Sequence, residues 1–167
     1  MIQIPELTTP RLLLRGFQPS DLDAYAEMMT DPEVTRYIGD GKSVARTDAW
    51  RQMALFAGHW VLRGFGIWAA EERATGTLMG RIGFWQPEGW PGFELAYTLG
   101  RQFWGRGFAT EGARAALTYG RETLGRKDII SLIRPANSAS VRVAEALGAT
   151  NTETIELLGE SALLYRY

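Results

Sequence analysis

Apolar residues along this chain follow two spacings, an alternation typical of strands and a three-to-four-residue recurrence typical of helices. The pattern predicts a strand, two helices, three antiparallel strands, a helix, a strand, a helix and two final strands. The predicted strands are 11–17, 64–72, 77–86, 93–99, 128–134 and two in 150–167. The predicted helices are 19–31, 43–62, one that begins near 110, and 137–148. The segment 31–39 is either a loop or a second helical turn.

Residues at the helix ends support these boundaries. Ser20 is the expected N-cap of the first helix, Asn137 is the expected N-cap of the last, and Gly148 ends the last helix. The second helix is expected to bury the apolar residues that recur at helical spacing: Trp50, Met53, Ala54, Ala57 and Val61. This order of elements predicts a single α/β domain over 1–167, with a mixed sheet that has helices on both faces.

Composition and charge exclude several classes of protein. The 167 residues include 18 basic and 19 acidic side chains, and the net charge of −1 argues against general nucleic-acid binding. Without cysteine the chain has no disulfide, thiolate metal site or cysteine nucleophile, which is compatible with a reducing cytoplasm. Because there is a single histidine, His59, we expect no metal site. No stretch approaches the roughly 18 apolar residues of a membrane span, and we recognise no signal peptide, so a cytoplasmic protein is expected.

The segment 102–117, QFWGRGFATEGARAAL, joins a predicted strand to a predicted helix. Gly105 and Gly107 flank Arg106 and permit backbone conformations with positive φ. Successive N–H groups can then point into one concavity that binds an anion, and the helix dipole favours negative charge at the same place. A P-loop is excluded because no lysine followed by Ser or Thr comes after the second glycine, and a dinucleotide fingerprint lacks its third glycine. A phosphate cradle and a plain tight turn both fit the segment.

The pattern Gln/Arg-x-x-Gly-x-Gly/Ala, present as Gln102-Phe103-Trp104-Gly105-Arg106-Gly107, resembles the GNAT superfamily of acyl-CoA-dependent N-acetyltransferases. Two further segments, TPRLLLRGFQPSDLDAYAEMMTDPEVTRYIG and IRPANSASVRVAEALGA, are similar to the branch of the ribosomal-protein acetyltransferases RimJ and RimL. The three segments stand in the right order and span almost the whole chain. The resemblance implies the GNAT fold, an α/β fold whose mixed, mostly antiparallel sheet of six to seven strands is splayed into a V.

The resemblance also implies where acetyl-CoA binds. Its pantetheine would lie in the opening between the strands at 93–99 and 128–134 and pair with the backbone of Tyr97, Thr98 and Leu99. The amides of the glycine segment and of the following helix start would hold the pyrophosphate: Gln102, Trp104, Gly105, Arg106, Gly107, Ala109 and Thr110. Asn137 would contact the pantetheine in addition to capping its helix.

Acyl transfer to an amine needs a group that takes a proton from the amine and a group that protonates the departing thiolate. Glu94 is the candidate base, with an ordinary exposed strand glutamate as the alternative. The tyrosine that many GNAT enzymes carry seven residues after the capping asparagine is replaced here by Ala144. In the RimJ/RimL-like branch a serine stands three residues after that asparagine, so Ser140 is the candidate acid; the alternative is a helix-start residue that bonds its own backbone. His59 is expected to be structural.

The acceptor amine is expected to enter opposite the cofactor, between the region of Tyr37 and the turn 85–92. Trp85 and Trp90 in that turn either line a cleft or pack in the core. The resemblance favours a protein N-terminal amine as acceptor, and similar sequences also serve small amines. Two other functions stay open: a CoA-binding regulatory or sensor module with little turnover, and a protein-interaction module whose glycines only turn the chain. A homodimer is also compatible with the sequence.

Overall fold

One eight-stranded mixed sheet organises the computed structural model, which describes residues 3–167. The strands lie in the order β1-β2-β3-β4-β5-β6-β8-β7, and every neighbouring pair is antiparallel except β5 and β6. The strands are β1 (Leu7–Thr8), β2 (Leu12–Arg15), β3 (Ile67–Glu72), β4 (Thr77–Trp85), β5 (Phe93–Leu99), β6 (Ile129–Ile133), β7 (Thr150–Leu157) and β8 (Glu160–Arg166). The α-helices are α1 (Leu22–Thr30), α2 (Pro32–Thr35), α3 (Arg46–Arg63), α4 (Phe108–Glu122) and α5 (Ser138–Ala146).

The predicted order of elements is confirmed. The sheet has eight strands instead of the expected six to seven because β1 pairs with β2 over two residues only, too few to produce an alternating pattern. The segment 31–39 contains the short helix α2, whose first turn is capped by the Asp31 carboxylate. Asp31 accepts the backbone N–H of Glu33 at 2.9 Å, and Pro32 occupies the first helical position, where its missing N–H costs nothing.

The predicted N-cap at Ser20 is wrong. Ser20 lies inside a single 3₁₀ turn, Pro19–Asp21, that precedes α1. The residue that closes this turn is Asp21, whose carboxylate accepts the backbone N–H of Gln18 at 2.7 Å. The two carboxylate oxygens also accept from the two terminal guanidinium nitrogens of Arg15, each at 2.8 Å, in a buried pair. A serine hydroxyl cannot accept two hydrogen bonds from a guanidinium in this way. The ion pair between Arg15 and Asp21 therefore fixes the start of the helix.

The buried face of α3 differs from the predicted one. Its buried residues are Ala49, Met53, Phe56, His59 and Trp60. Of the predicted set only Met53 is buried, whereas the exposed residues are Trp50, Ala54, Ala57 and Val61. Both sets have helical spacing, so spacing alone could not choose between them. Phe56 and Trp60 decide the packing because they bury the larger aromatic area, Phe56 against Tyr25 and Trp60 against Trp68.

The sheet opens between β5 and β6, which run parallel for only two residues. β5 pairs with β6 at Phe93 and Glu94, and the Ser131 hydroxyl then donates to the Leu95 carbonyl at 2.6 Å. Beyond Leu95 the edge of β5 that faces β6 has no strand partner within residues 3–167. The sheet is therefore open at its centre, as the resemblance implied.

Candidate active site

The opening between β5 and β6 continues into a cavity of about 380 Å³. Glu94 on β5 and Ser140 on α5 both line it, as do Tyr37 and the two tryptophans of the 85–92 turn, Trp85 and Trp90. The fold thus brings the predicted base, the predicted acid and the predicted acceptor region to one place, although they come from four separate parts of the chain.

Glu94 is 8% exposed and so is not an ordinary surface glutamate. Its Oε2 accepts the indole N–H of Trp90 at 2.7 Å, and its Oε1 accepts the backbone N–H of Leu132 at 3.4 Å. Burial raises the pKa of the Glu94 carboxyl to about 7, although these two hydrogen bonds and the charge of Arg81 oppose the rise. A carboxyl with a pKa near neutrality can both accept and release a proton at physiological pH, which is what a general base requires.

The start of α5 presents Ser140 to the cavity. Asn137 caps α5 as predicted, since its Oδ1 accepts the backbone N–H of Ser140 at 3.2 Å, and Gly148 follows the helix with φ 88°. The Ser140 hydroxyl forms no hydrogen bond to any residue in 3–167, so it is not held by its own backbone. The Ser140 carbonyl accepts the Tyr97 hydroxyl at 2.9 Å, which links α5 to β5 across the opening.

The glycine segment forms the turn between β5 and α4. Gly105 and Gly107 have φ 70° and 79°, the left-handed conformation that glycine was expected to permit. α4 begins at Phe108, slightly earlier than predicted, with Gly107 as its N-cap. A Cβ at Gly105 would meet no atom within 4 Å, and one at Gly107 would meet only Nη2 of Arg11 at 3.4 Å. Open space therefore lies over the turn and the free N–H groups of the first helical turn, an arrangement that favours an anion.

Strand alternation determines which backbone groups of β5 face the opening. The Gly100 N–H donates to a β4 carbonyl at 2.8 Å, whereas the Leu95 carbonyl points into the opening, where it accepts from Ser131. Because the backbone groups of successive residues point to opposite edges of a strand, Tyr97 and Leu99 also face the opening. The backbone of Thr98 faces β4, and Thr98 is also among the residues that line the cavity.

Comparison with protein families identifies the fold. The family described as "Acetyltransferase (GNAT) domain" matches residues 11–150, which is most of the chain. The chain belongs to the GNAT acetyltransferase family. Its curated relatives include YkkB of Bacillus subtilis (strain 168), which is 32% identical over 168 residues covering 96% of this chain and 94% of YkkB. As a member of this family, the enzyme is an acyl-CoA-dependent N-acetyltransferase.

Solved structures agree with this assignment. An acetyltransferase from Agrobacterium tumefaciens str. C58 has a TM-score of 0.87 and 32% identity, covering 100% of this chain and 96% of that one. RimL, a ribosomal L7/L12 α-N-protein acetyltransferase solved in complex with coenzyme A, has a TM-score of 0.81 with 16% identity, and 96% of each chain is covered. The resemblance to RimJ and RimL is thus confirmed at the level of the fold. The sequence identity to RimL is too low to support a shared substrate.

The remaining residues that the resemblance assigned to the cofactor lie on or beside the glycine turn between β5 and α4. Trp104 donates its indole N–H to the Leu99 carbonyl at 2.7 Å and so folds back over the end of β5. Arg106 is exposed, with its guanidinium 4.8 Å from the centre of the Phe108 ring. The others occupy the 3₁₀ turn before the glycines and the first turn of α4: Gln102, Ala109 and Thr110.

Two tyrosine hydroxyls for which the sequence predicted no role lie near the opening. Burial raises the pKa of Tyr97 and of Tyr167, and the Tyr167 hydroxyl is 2.9 Å from that of Ser131. No local sequence signal places Tyr167 here, because β8 brings it back to β6 from the end of the chain. Ala144, at the position of the tyrosine in many GNAT enzymes, is fully buried and does not line the cavity.

His59 is structural in this GNAT enzyme, as expected. Its Nδ1 lies 2.7 Å from the Phe65 carbonyl and its Nε2 accepts the backbone N–H of Gln86 at 3.1 Å. Both bonds are made at once by the neutral ring with its proton on Nδ1. The ring also stacks on Trp85, with the ring centres 5.0 Å apart, and both of its nitrogens are engaged in hydrogen bonds.

A larger open groove of about 920 Å³ lies between residues 6–10 and α4, and it shares no lining residue with the cavity. It includes Gly107 and Thr110 of the glycine turn and helix start. Its Glu111 carboxylate already accepts from Thr9 at 2.7 Å and from Arg11 at 2.6 Å. The cavity that contains Glu94 is therefore the better candidate for the chemistry.

Two negative findings apply to residues 3–167. The described part of the chain contains no cluster of three or more histidine, aspartate or glutamate side chains that could hold a metal ion. None of the helices in that range combines the length and the apolar character needed to cross a bilayer.

Proposed function

We propose that this GNAT enzyme, acting as one domain over 1–167, transfers the acetyl group of acetyl-CoA to a primary amine bound in the cavity between β5 and β6. The observation that carries this proposal is Glu94, a buried carboxyl with a pKa of about 7 placed where the sheet opens. Acetyl-CoA supplies an acyl group activated as a thioester.

The described residues fit acetyl-CoA at two places. The edge of β5 that faces the opening offers the backbone groups of Tyr97 and the N–H of Leu99, whose carbonyl already accepts from Trp104, and an amide-containing chain can bind there as an added strand. The turn with Gly105 and Gly107 offers N–H groups and a helix dipole to a pyrophosphate. Thr98 would contribute through its side chain, since its backbone faces β4. The other residues that we propose to contact the cofactor are Gln102, Trp104, Arg106, Ala109, Thr110 and Asn137.

The proton transfers follow from the same geometry. Glu94 would accept the proton that the amine must lose, and the bonds from Trp90 and Leu132 hold its carboxylate in one orientation. The free hydroxyl of Ser140 would donate a hydrogen bond to the departing sulfur. His59 takes no part because both of its ring nitrogens are already bonded.

An acceptor screen tests the proposed function. Purified protein is incubated with acetyl-CoA and a panel of N-terminal peptides and small amines, and we measure free thiol together with the acetylated product by mass spectrometry. We expect equal amounts of both for at least one acceptor. A rise in Tm with acetyl-CoA but no acceptor-dependent thiol would support the sensor module instead. No change in Tm would contradict cofactor binding altogether.

Replacing Ser140 with Ala is expected to lower kcat about tenfold, because one hydrogen bond to the leaving sulfur is lost. The free energy of unfolding should change by no more than about 0.5–1.5 kcal/mol, since the hydroxyl bonds no described residue. The matched control is Ser138→Ala, an exposed serine on the same helical turn that does not line the cavity. An unchanged kcat in Ser140→Ala would mean that the thiolate leaves without help from α5.

A further inference from the structure

Arg81 on β4 is a half-buried cation that has no carboxylate partner within residues 3–167. Its Nε is buried and has no hydrogen-bond acceptor, and Arg81 forms no ion pair within residues 3–167. The guanidinium lies over the Phe56 ring, with Cζ 5.1 Å from the ring centre, and it lines the cavity. A buried donor without an acceptor is costly, so the unpartnered Nε of a cavity guanidinium favours a bound molecule that supplies an anionic acceptor.

Glu94 does not serve as that anion. It is the only carboxylate among the residues that line the cavity, and both of its oxygens accept from other donors, Trp90 and Leu132. The other cavity arginine, Arg134, is already satisfied, since it pairs with Glu160 at 3.3 Å and donates to a β7 carbonyl at 3.0 Å. Arg81 is therefore the cation of the cavity that stays available.

A second donor lies on the same side of the cavity. Gln52 on α3 lines it, and its Oε1 accepts the Tyr25 hydroxyl at 2.8 Å, which leaves the NH₂ end of the amide as a donor. Arg81 lies over the Phe56 ring, and that ring packs against Tyr25, so the three groups are neighbours. Phe56 and Trp85 supply an aromatic wall beside them. Trp85 belongs to the 85–92 turn that is expected to border the acceptor, so this part of the cavity is the candidate acceptor side.

We propose that Arg81 binds a free carboxylate of the acceptor, so that the enzyme acetylates small amines of the amino-acid class. A guanidinium presents two parallel N–H groups to a carboxylate, and such charge-assisted pairs are among the strongest hydrogen bonds in proteins. A protein N-terminal residue has its carboxyl in a peptide bond and offers no such anion. The cavity of about 380 Å³ must also admit the acetyl end of the cofactor, and the room that is left suits a small acceptor. This inference rests on the proposed acetyl transfer and names the class of its acceptor.

The test compares acceptors that differ only in the carboxyl group. Three pairs vary the distance from the amine to the carboxylate: L-phenylalanine and L-phenylalaninamide, 4-(aminomethyl)benzoate and its amide, and 6-aminohexanoate and its amide. We measure acceptor-dependent thiol release and the acetylated product for each. In at least one pair the acid is expected to exceed its amide in kcat/KM by about 10- to 100-fold, the usual range for one charge-assisted pair.

Variants then assign that preference to Arg81. Arg81→Met should lower kcat/KM for the acid to within a few-fold of that for its amide. Arg81→Lys should keep part of the preference, because it retains the positive charge but not the two parallel N–H groups of the guanidinium. Arg121→Met is the matched control, since Arg121 is exposed on α4 and lies outside the cavity; it should keep the full preference. The comparison within the parent protein stands even if Arg81→Met does not fold.

The two proposals fail in different ways. Equal rates for acid and amide in every pair, or turnover confined to N-terminal peptides, would overturn the carboxylate site and leave acetyl transfer intact. An equal fall for acid and amide in Arg81→Met would also overturn it, because Arg81 would then act through Glu94. Absence of thiol release with every amine, peptides included, would count against the proposed function itself.

Discussion

Replacing Glu94 with Gln is expected to lower kcat for acetyl transfer by about 10²–10⁴, the usual effect of removing a general base. An amide has nearly the shape of the carboxyl and can still accept the Trp90 indole N–H, but it cannot take a proton from the amine. Affinity for CoA should change little, because Glu94 lies away from the glycine turn. Thiol release at saturating acetyl-CoA gives kcat, and the change in Tm with CoA reports binding.

The control for this substitution is Glu88→Gln. Glu88 lies on the same 85–92 turn as Trp90, and its side chain is 99% exposed and pairs with Arg63 at 3.2 Å. Its replacement removes the same charge close to the cavity and should leave kcat unchanged. If Glu94→Gln turned over at the parent rate, the base would have to be water, or the amine would have to enter already neutral.

Replacing Gly107 with Val is expected to weaken CoA binding about 100-fold or more. The φ of 79° at this N-cap is strained for any residue with a Cβ, and a β-branched side chain would stand in the open space over the first amides of α4. A pyrophosphate would lose at least one charge-assisted hydrogen bond, and such bonds contribute about 1.5–3 kcal/mol each. Titration calorimetry with CoA measures the effect.

Gly76→Val separates this effect from backbone strain. Gly76, in the turn between β3 and β4, has φ 71° and no atom within 4 Å of an added Cβ, so the substitution carries a similar conformational cost far from the cavity. The free energy of unfolding should fall by a similar amount in both variants, and only Gly107→Val should lose affinity for CoA. Equal CoA affinity in the two variants would show that the glycine turn does not hold the cofactor.

Features with a local cause could be predicted from the sequence. The order of strands and helices follows from apolar spacing, the left-handed turn follows from Gly105 and Gly107, and the cap of α5 follows from Asn137. Each depends on residues within a few positions of each other, where backbone sterics and nearby hydrogen bonds decide the structure.

Features set by distant contacts could not be predicted in this way. The buried face of α3 depends on which of two equally spaced stripes meets the sheet. The start of α1 depends on the ion pair between Arg15 and Asp21, which are only six residues apart but which the preference for a serine N-cap concealed. The raised pKa of Glu94 comes from burial that only the assembled cavity provides. The unpaired state of Arg81 is also visible only once its surroundings are known.

The pH dependence of kcat/KM tests most directly whether Glu94 is the base of an acetyl transfer in this cavity. The parent and Glu94→Gln are compared with one acceptor whose amine titrates well above the pH range studied. Glu94 must be ionised to accept a proton, and burial raises its pKa to about 7, so the activity of the parent should fall more steeply with acidity below that pH. In Glu94→Gln the steepening should disappear, and only the gradual dependence due to the amine should remain. A parent profile without a break near that pH, or the same break in both proteins, would contradict the role of Glu94.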